Sequence, residues 1–124
     1  PGASMPRHPD DPDALRPLKP IEALLLTMLA PGDRHGYGLR QDILDHTGGK
    51  LELEAGTLYR HLRHLDELGL LAESDQRPAD DDDERRIYYR LTPFGRRVLA
   101  AEMQRLRALL RLAESHRVIA PRRT

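Results

Sequence analysis

The chain contains no cysteine. Disulfide frameworks, thiol catalysis and thiolate-bound metals are therefore excluded. Tryptophan is absent as well, and Phe94 is the single phenylalanine, so no flat ligand can be sandwiched between paired tryptophans. Net charge is missing too: 20 Lys and Arg balance 20 Asp and Glu. That argues against a polycation that coats nucleic acid, and any DNA contact must come from a local basic patch. No apolar run reaches the ~18 residues of a membrane-crossing helix. The first 12 residues hold no apolar stretch of the kind a secretory signal needs, so a cytoplasmic location is expected. Enzymatic signatures are also lacking. There is no Gly-rich phosphate loop followed by Lys, no G-x-S-x-G and no H-E-x-x-H. The expectation is a non-enzyme without catalytic residues or cofactor.

What is present is helical punctuation. A length of 124 residues suits one compact domain plus one appended element. With 39% hydrophobic residues the core is small, and self-association would add burial. Pro1 to Ser4, ahead of Met5, read as a cloning scar, and residues 1–18 as a flexible arm rich in Pro, Asp and Arg. Only Lys19 and Lys50 are lysines among the 20 basic residues, a bias that points to a GC-rich bacterial genome. Pro20 opens a first helix. Ile21, Leu24, Leu25, Met28 and Leu29 follow on one face, and Pro31-Gly32-Asp33 ends it. A second helix is expected over Tyr37–Thr47, stopped by Gly48-Gly49. A third runs from about Ala55 to Leu68, with Leu58, Leu62, Leu65 and Leu68 inward and Gly69 at its end. Three short helices with tight joints are what a helix-turn-helix requires.

Leu70–Ser74 and Arg86–Leu91 read as two strands of a hairpin, the second by its aromatic and β-branched residues. Asp75 to Arg85 lies between them. It includes the run Asp80-Asp81-Asp82-Asp83-Glu84, a solvated loop that lacks the spaced ligands of a calcium site. Thr92-Pro93 starts a long helix that continues to about Arg117. Leu99, Met103, Leu106, Leu110 and Ala113 step along it by four, three, four and three, widened by Val98, Leu109 and Leu112. A domain this small cannot cover that stripe, and a second copy of the chain is the simplest cover. The expected organisation is an arm at 1–18, a winged helix-turn-helix at 19–91, a dimerisation helix at 92–118 and a frayed tail at 119–124. The fold class is mainly α with a small β-hairpin.

The third helix carries the candidate DNA chemistry. With its leucines inward, Thr57, Tyr59, Arg60, Arg63 and His64 lie outward or to the side, where hydroxyl, phenol and guanidinium groups suit phosphates and base edges. Gly56 lets backbone approach a phosphate at the helix N-terminus. Lys50, in the preceding loop, joins this set. Arg85, Arg86, Arg90, Arg96 and Arg97 have no acid between Arg85 and Arg97. Arg85 and Arg86 at the wing are the stronger backbone contacts. The plainer reading of the helix is an ordinary surface with arginine for solubility, and that of the second group is a partner for the adjacent acidic loop, with Arg96 and Arg97 on a solvated face. His61 and His64 are close enough to share a metal, but no third ligand is evident in the sequence. They read as polar surface positions, and no metal site is expected.

Four stretches carry a family likeness: His35-Gly36-Tyr37-Gly38, Gly56-Thr57-Leu58-Tyr59, Leu65 to Leu71, and Arg85 to Gly95. In this order and spacing, across about Leu18 to Leu112, the chain resembles the PadR-type bacterial transcriptional regulators. The resemblance implies a homodimer joined through the helix from Thr92 onward, with help from the first helix. It implies a recognition helix with Gly56, Thr57, Tyr59 and Arg60 in the DNA groove, and Tyr37 and the wing arginines on the backbone. It also implies repression, often of efflux or detoxification genes, and release by an aromatic small molecule near the dimer interface. The chain departs from the pattern at Lys19, where Ser or Thr often caps the first helix, and at Glu54-Ala55, where a small residue often precedes the Gly-Thr-Leu-Tyr stretch. The expected function is a sequence-specific DNA-binding regulator, with double-stranded DNA and a second copy as partners. The alternative is a winged helix that has lost DNA and docks proteins through its acidic loop or long helix.

Overall fold

The computed structural model describes residues 11–12, 17–75, 78 and 85–121. The acidic run Asp80–Glu84, the cloning scar, most of the proposed arm and the last three residues of the tail lie outside the described residues. Four helices and three short strands follow in the order α1 (Pro20–Leu29), β1 (Arg34–His35), α2 (Gly36–His46), α3 (Ala55–Glu67), β2 (Leu71–Ser74), β3 (Tyr88–Leu91) and α4 (Pro93–Ser115). The strands form one antiparallel sheet in the order β1-β3-β2. This is a winged helix-turn-helix with a long C-terminal helix.

Helix α1 is covered more fully than its single predicted face implied. Leu25, Leu26 and Leu29 are buried, and Glu22 and Ala23 with them. A helix enclosed on most sides is apolar on most sides, and Leu26 belongs to the core although it lies off the expected stripe. Leu39 and Ile43 of α2 meet Leu58, Leu62 and Leu65 of α3, Leu70 and Leu71 of the wing, and Val98 and Leu99 of α4 in one cluster. Leu18 is also buried there. This corrects its assignment to a flexible arm: the chain is anchored two residues before α1 begins.

The helix ends follow the punctuation. At the end of α3, the Leu70 amide donates to the Leu65 carbonyl at 2.9 Å and the Gly69 amide to the Asp66 carbonyl at 2.9 Å. Gly69 takes φ +77°, which only glycine adopts without a Cβ penalty. Helix α4 closes with the same pair of bonds, Val118 to Ala113 and Arg117 to Glu114, but its left-handed residue is Arg117, at φ 60°. Thr92 caps the start of α4 as expected, its hydroxyl accepting from the Gly95 amide at 2.9 Å.

The wing differs from expectation in two ways. Strand β1 was not foreseen, because two residues are too short to show a period. It pairs Arg34 with Tyr89 and His35 with Tyr88. Arg86 and Ile87 lie outside the ladder, where Ile87 is exposed. Tyr88 and Tyr89, on opposite faces of β3, are both buried. Tyr88 meets the edge of the His35 ring, with centroids 5.2 Å apart, and Tyr89 enters the core cluster.

Candidate nucleic-acid interface

Helix α3 presents its polar side because Leu58, Leu62 and Leu65 anchor the opposite one. Tyr59, Arg60 and Arg63 are exposed, Thr57 is half-buried, and Gly56 is exposed with open space where a side chain would stand. Glu54 occupies the N-cap with no side-chain hydrogen bond to the helix. The first amides of α3 therefore keep their positive end uncapped by Glu54.

The start of α2 is built around His35. Its Nδ1 accepts from the Gly38 amide at 3.0 Å, so its ring proton sits on Nε2. The same ring stacks near Tyr37, with centroids 6.4 Å apart. Tyr37 is 59% exposed on the first turn of α2. Arg34 grips Asp42 through Nε at 2.9 Å and Nη2 at 2.8 Å, and its Nη2 also donates to the Gly38 carbonyl at 3.2 Å. These bonds fix β1 to α2. Arg40 Nε donates to the Leu53 carbonyl at 2.6 Å, tying α2 to the segment that feeds α3.

The three parts converge on one concave surface of about 420 Å³, lined by His35, Gly36, Tyr37, Tyr59, Arg85, Arg86 and Ile87. Four of the ten sequence-predicted contacts, Tyr37, Tyr59, Arg85 and Arg86, meet there. Gly36 makes room for the Tyr59 ring in this arrangement: a Cβ on it would stand 2.6 Å from the Tyr59 hydroxyl, and the ring would have to move aside. Arg63 lines a neighbouring cleft with Tyr59, Asp66, Glu73 and Tyr89. The Tyr89 hydroxyl there is pushed up to about 12, chiefly by burial and in lesser part by Tyr59, Glu73 and Asp66. Lys50 is exposed on the loop after α2, outside both concavities. Arg96 donates to the Ala30 carbonyl at 3.0 Å, and Arg97 lies over the Phe94 ring at 5.6 Å.

The two histidines of α3 behave differently from free surface groups. His61 Nδ1 lies 2.9 Å from Glu22 Oε2, and His64 Nδ1 lies 2.9 Å from Oε2 and 3.1 Å from Oε1 of the same carboxylate. His61 is largely covered, a correction to its reading as a surface position, and His64 faces α1 through this bond. Glu22 was missed in the sequence, although a lone acid among Ile21, Ala23, Leu24 and Leu25 signals a buried charge that needs partners. Among the described residues, no three His, Asp or Glu side chains form a group that could hold a metal ion.

On α4 the stripe divides. Leu99 is 8% exposed and packs inside its own chain, because the first turns of α4 lie against the domain. It is withdrawn from the set left for a partner. Met103, Leu109, Leu110 and Leu112 are exposed, and Leu106 and Ala113 are partly so. A groove of about 310 Å³ runs between α1 and α4, lined by Leu18, Pro20, Ala23, Leu24, Thr27, Glu102, Met103, Arg105 and Leu106. Glu102 is buried, and its carboxylate accepts from the Leu18 amide at 3.1 Å and from Arg105 at 2.7 and 2.9 Å. That bond to the backbone adds to the packing of the Leu18 side chain in the core cluster.

No described helix is long and apolar enough to cross a membrane. Three helices, a wing and an exposed tyrosine–arginine surface make a winged helix-turn-helix, the architecture of DNA-binding transcription regulators. The model of the transcriptional regulator PadR-like family matches residues 25–101. That is more than half of the chain, which belongs to this family. Among curated proteins, an uncharacterized protein of Lysinibacillus sphaericus is 26% identical over 80 residues, 64% of this chain and 72% of its own length. A transcriptional regulator from Clostridium thermocellum has a similar fold, with TM-score 0.65 and 22% identity over 77% of this chain and 87% of that one. A PadR family transcription regulator from Clostridium difficile gives TM-score 0.63 and 23% identity, covering 77% and 96%. One from Eggerthella lenta gives TM-score 0.58 and 29% identity, covering 75% and 80%.

Proposed function

We propose that the protein is a homodimeric repressor that reads a pseudo-palindromic operator. Helix α3 enters the major groove, where Arg60 and Arg63 meet base edges and Gly56, Thr57 and Tyr59 meet the adjoining backbone. Tyr37, Lys50, Arg85 and Arg86 hold phosphates on either side, and His64 stands at the inner flank of the helix. The observation that carries this reading is the single surface on which Tyr37, Tyr59, Arg85 and Arg86 converge beside the exposed arginines of α3.

Dimerisation through α4 is supported by Met103, Leu106, Leu110 and Ala113, together with Leu109 and Leu112. Their apolar surface remains uncovered within one chain. Burying such surface contributes about 25 cal/mol per Å². Two copies would present their recognition helices to half-sites about 34–36 Å apart, one helical turn. The groove between α1 and α4 adjoins this face and has the apolar walls that a small aromatic effector needs.

A gel shift against the chain's own upstream region, repeated across salt, tests the reading. Affinity should fall steeply with salt. Arg60→Ala should cost about 1–3 kcal/mol of base discrimination, while Arg86→Ala should weaken operator and random DNA equally. Equal losses for Arg60→Ala on both duplexes contradict its role. No shift at low salt leaves the protein-docking alternative.

A further inference from the structure

We infer that Glu22 is the positioning residue of the recognition helix: its buried carboxylate, held by His61 and His64, sets the rotation of α3 about its own axis. The inference rests on the reading of α3 as the DNA-reading element. Glu22 is 2% exposed and belongs to α1. Both oxygens of its carboxylate face α3, with the two Nδ1 atoms at 2.9 Å from Oε2. A buried carboxylate requires donors, and the two side chains that bond to it, His61 and His64, come from one helix, one turn apart.

The leucines of α3 cannot supply what this pair supplies. Apolar burial is non-directional, so Leu58, Leu62 and Leu65, though closely packed, fix the rotation of the helix less sharply than a directional bond does. Hydrogen bonds to a fixed carboxylate are directional and resist rolling. The geometry of the face makes the roll matter. Arg60 and Arg63 each precede one of the two histidines, about 100° around the helix from it. A roll of about 20° carries an atom ~6 Å from the axis through about 2 Å. A bidentate base contact, which needs ~2.7–3.2 Å, does not survive that displacement. Phosphate contacts made by long flexible arginines do survive it, so the clamp acts on specificity more than on total affinity.

The experiment uses the full chain, the duplex it selects from fragmented genomic DNA and a scrambled duplex of equal length. Glu22→Leu keeps the volume and removes the acceptor. The operator-to-scrambled affinity ratio should fall about tenfold, while affinity for the scrambled duplex stays within about twofold. The melting temperature should fall, because the largely covered His61 loses its acceptor, so the inference is read from the affinity ratio of the folded protein. A residue that merely supports the fold would leave that ratio unchanged; that outcome overturns the inference. Should Glu22→Leu fail to fold, His64 gives the second reading, since its side chain is partly exposed. His64→Leu should lower the ratio, and His64→Asn, whose amide nitrogen takes the place of Nδ1, should preserve it. Equal ratios for these two variants would overturn the clamp. Loss of discrimination in Arg60→Ala but not in Glu22→Leu overturns the clamp alone. No loss in either overturns α3 as the reading helix and the clamp with it.

Discussion

Replacing Gly95 with alanine sets two effects of opposite sign against each other. Glycine inside α4 costs roughly 0.5–1 kcal/mol relative to alanine, so propensity favours the change. Packing opposes it. A Cβ at position 95 would stand 1.9 Å from the Leu70 carbonyl oxygen, 2.7 Å from its carbon and 3.0 Å from the Leu70 Cα. All three are backbone atoms, and no flexible side chain can yield. To restore ordinary contact, the start of α4 must retreat by about 1.5 Å. That movement strains the bonds from the Thr92 amide to the Leu70 carbonyl and from the Thr92 hydroxyl to the Gly69 carbonyl, each worth about 1 kcal/mol. It also disturbs buried Val98 and Leu99, at an overpacking cost of about 1–3 kcal/mol. The net expectation is a loss of roughly 2–4 kcal/mol, or about 10 °C in melting temperature for a chain of this size. Thermal unfolding followed by circular dichroism measures it, with Gly56→Ala as the control because nothing lies within 4 Å of that position. A Gly95→Ala protein that melts within about 2 °C of the parent would refute the packing argument.

Leu110 is 48% exposed on α4, so Leu110→Asp should leave the monomer folded and convert a sedimenting dimer to monomer; an unchanged sedimentation coefficient argues that the dimer uses another face. Arg117→Gly should stabilise by about 1 kcal/mol, because glycine accepts the φ of 60° without a Cβ penalty, and urea denaturation would register it as a higher midpoint. The Tyr89 hydroxyl has its pKa raised from 10.0 to about 12. The folded state holds this proton more tightly than the unfolded chain, so the stabilising contribution is complete below pH 10 and is lost as pH rises toward 12. Unfolding monitored across that window should show a steeper decline for the parent than for Tyr89→Phe.

The readable part of this protein was periodic or punctuated. The leucines of α3, Thr92-Pro93 and Gly69 were legible because local rules act within one turn of chain, and the long apolar face of α4 because four-three spacing survives without knowledge of neighbours. Strand β1 was not legible, since two residues become a strand only when β3 lies beside them. Leu99 and Met103 looked alike in the stripe; which of them the domain covers depends on how far α4 runs past α1. Glu22 and the histidines lie 39 and 42 residues apart in the chain, and no window of sequence joins them.

The order of amino acids by itself determined the helices, their ends and the helical face on which the arginines stand, because backbone propensity and side-chain period are local properties. Tertiary structure alone decided that Tyr37, Tyr59, Arg85 and Arg86 share one surface, that Glu22 faces α3 and that the Leu18 amide bonds to Glu102. Each of those relations is a closure between distant segments, set by how the core packs and by where buried charges find their donors.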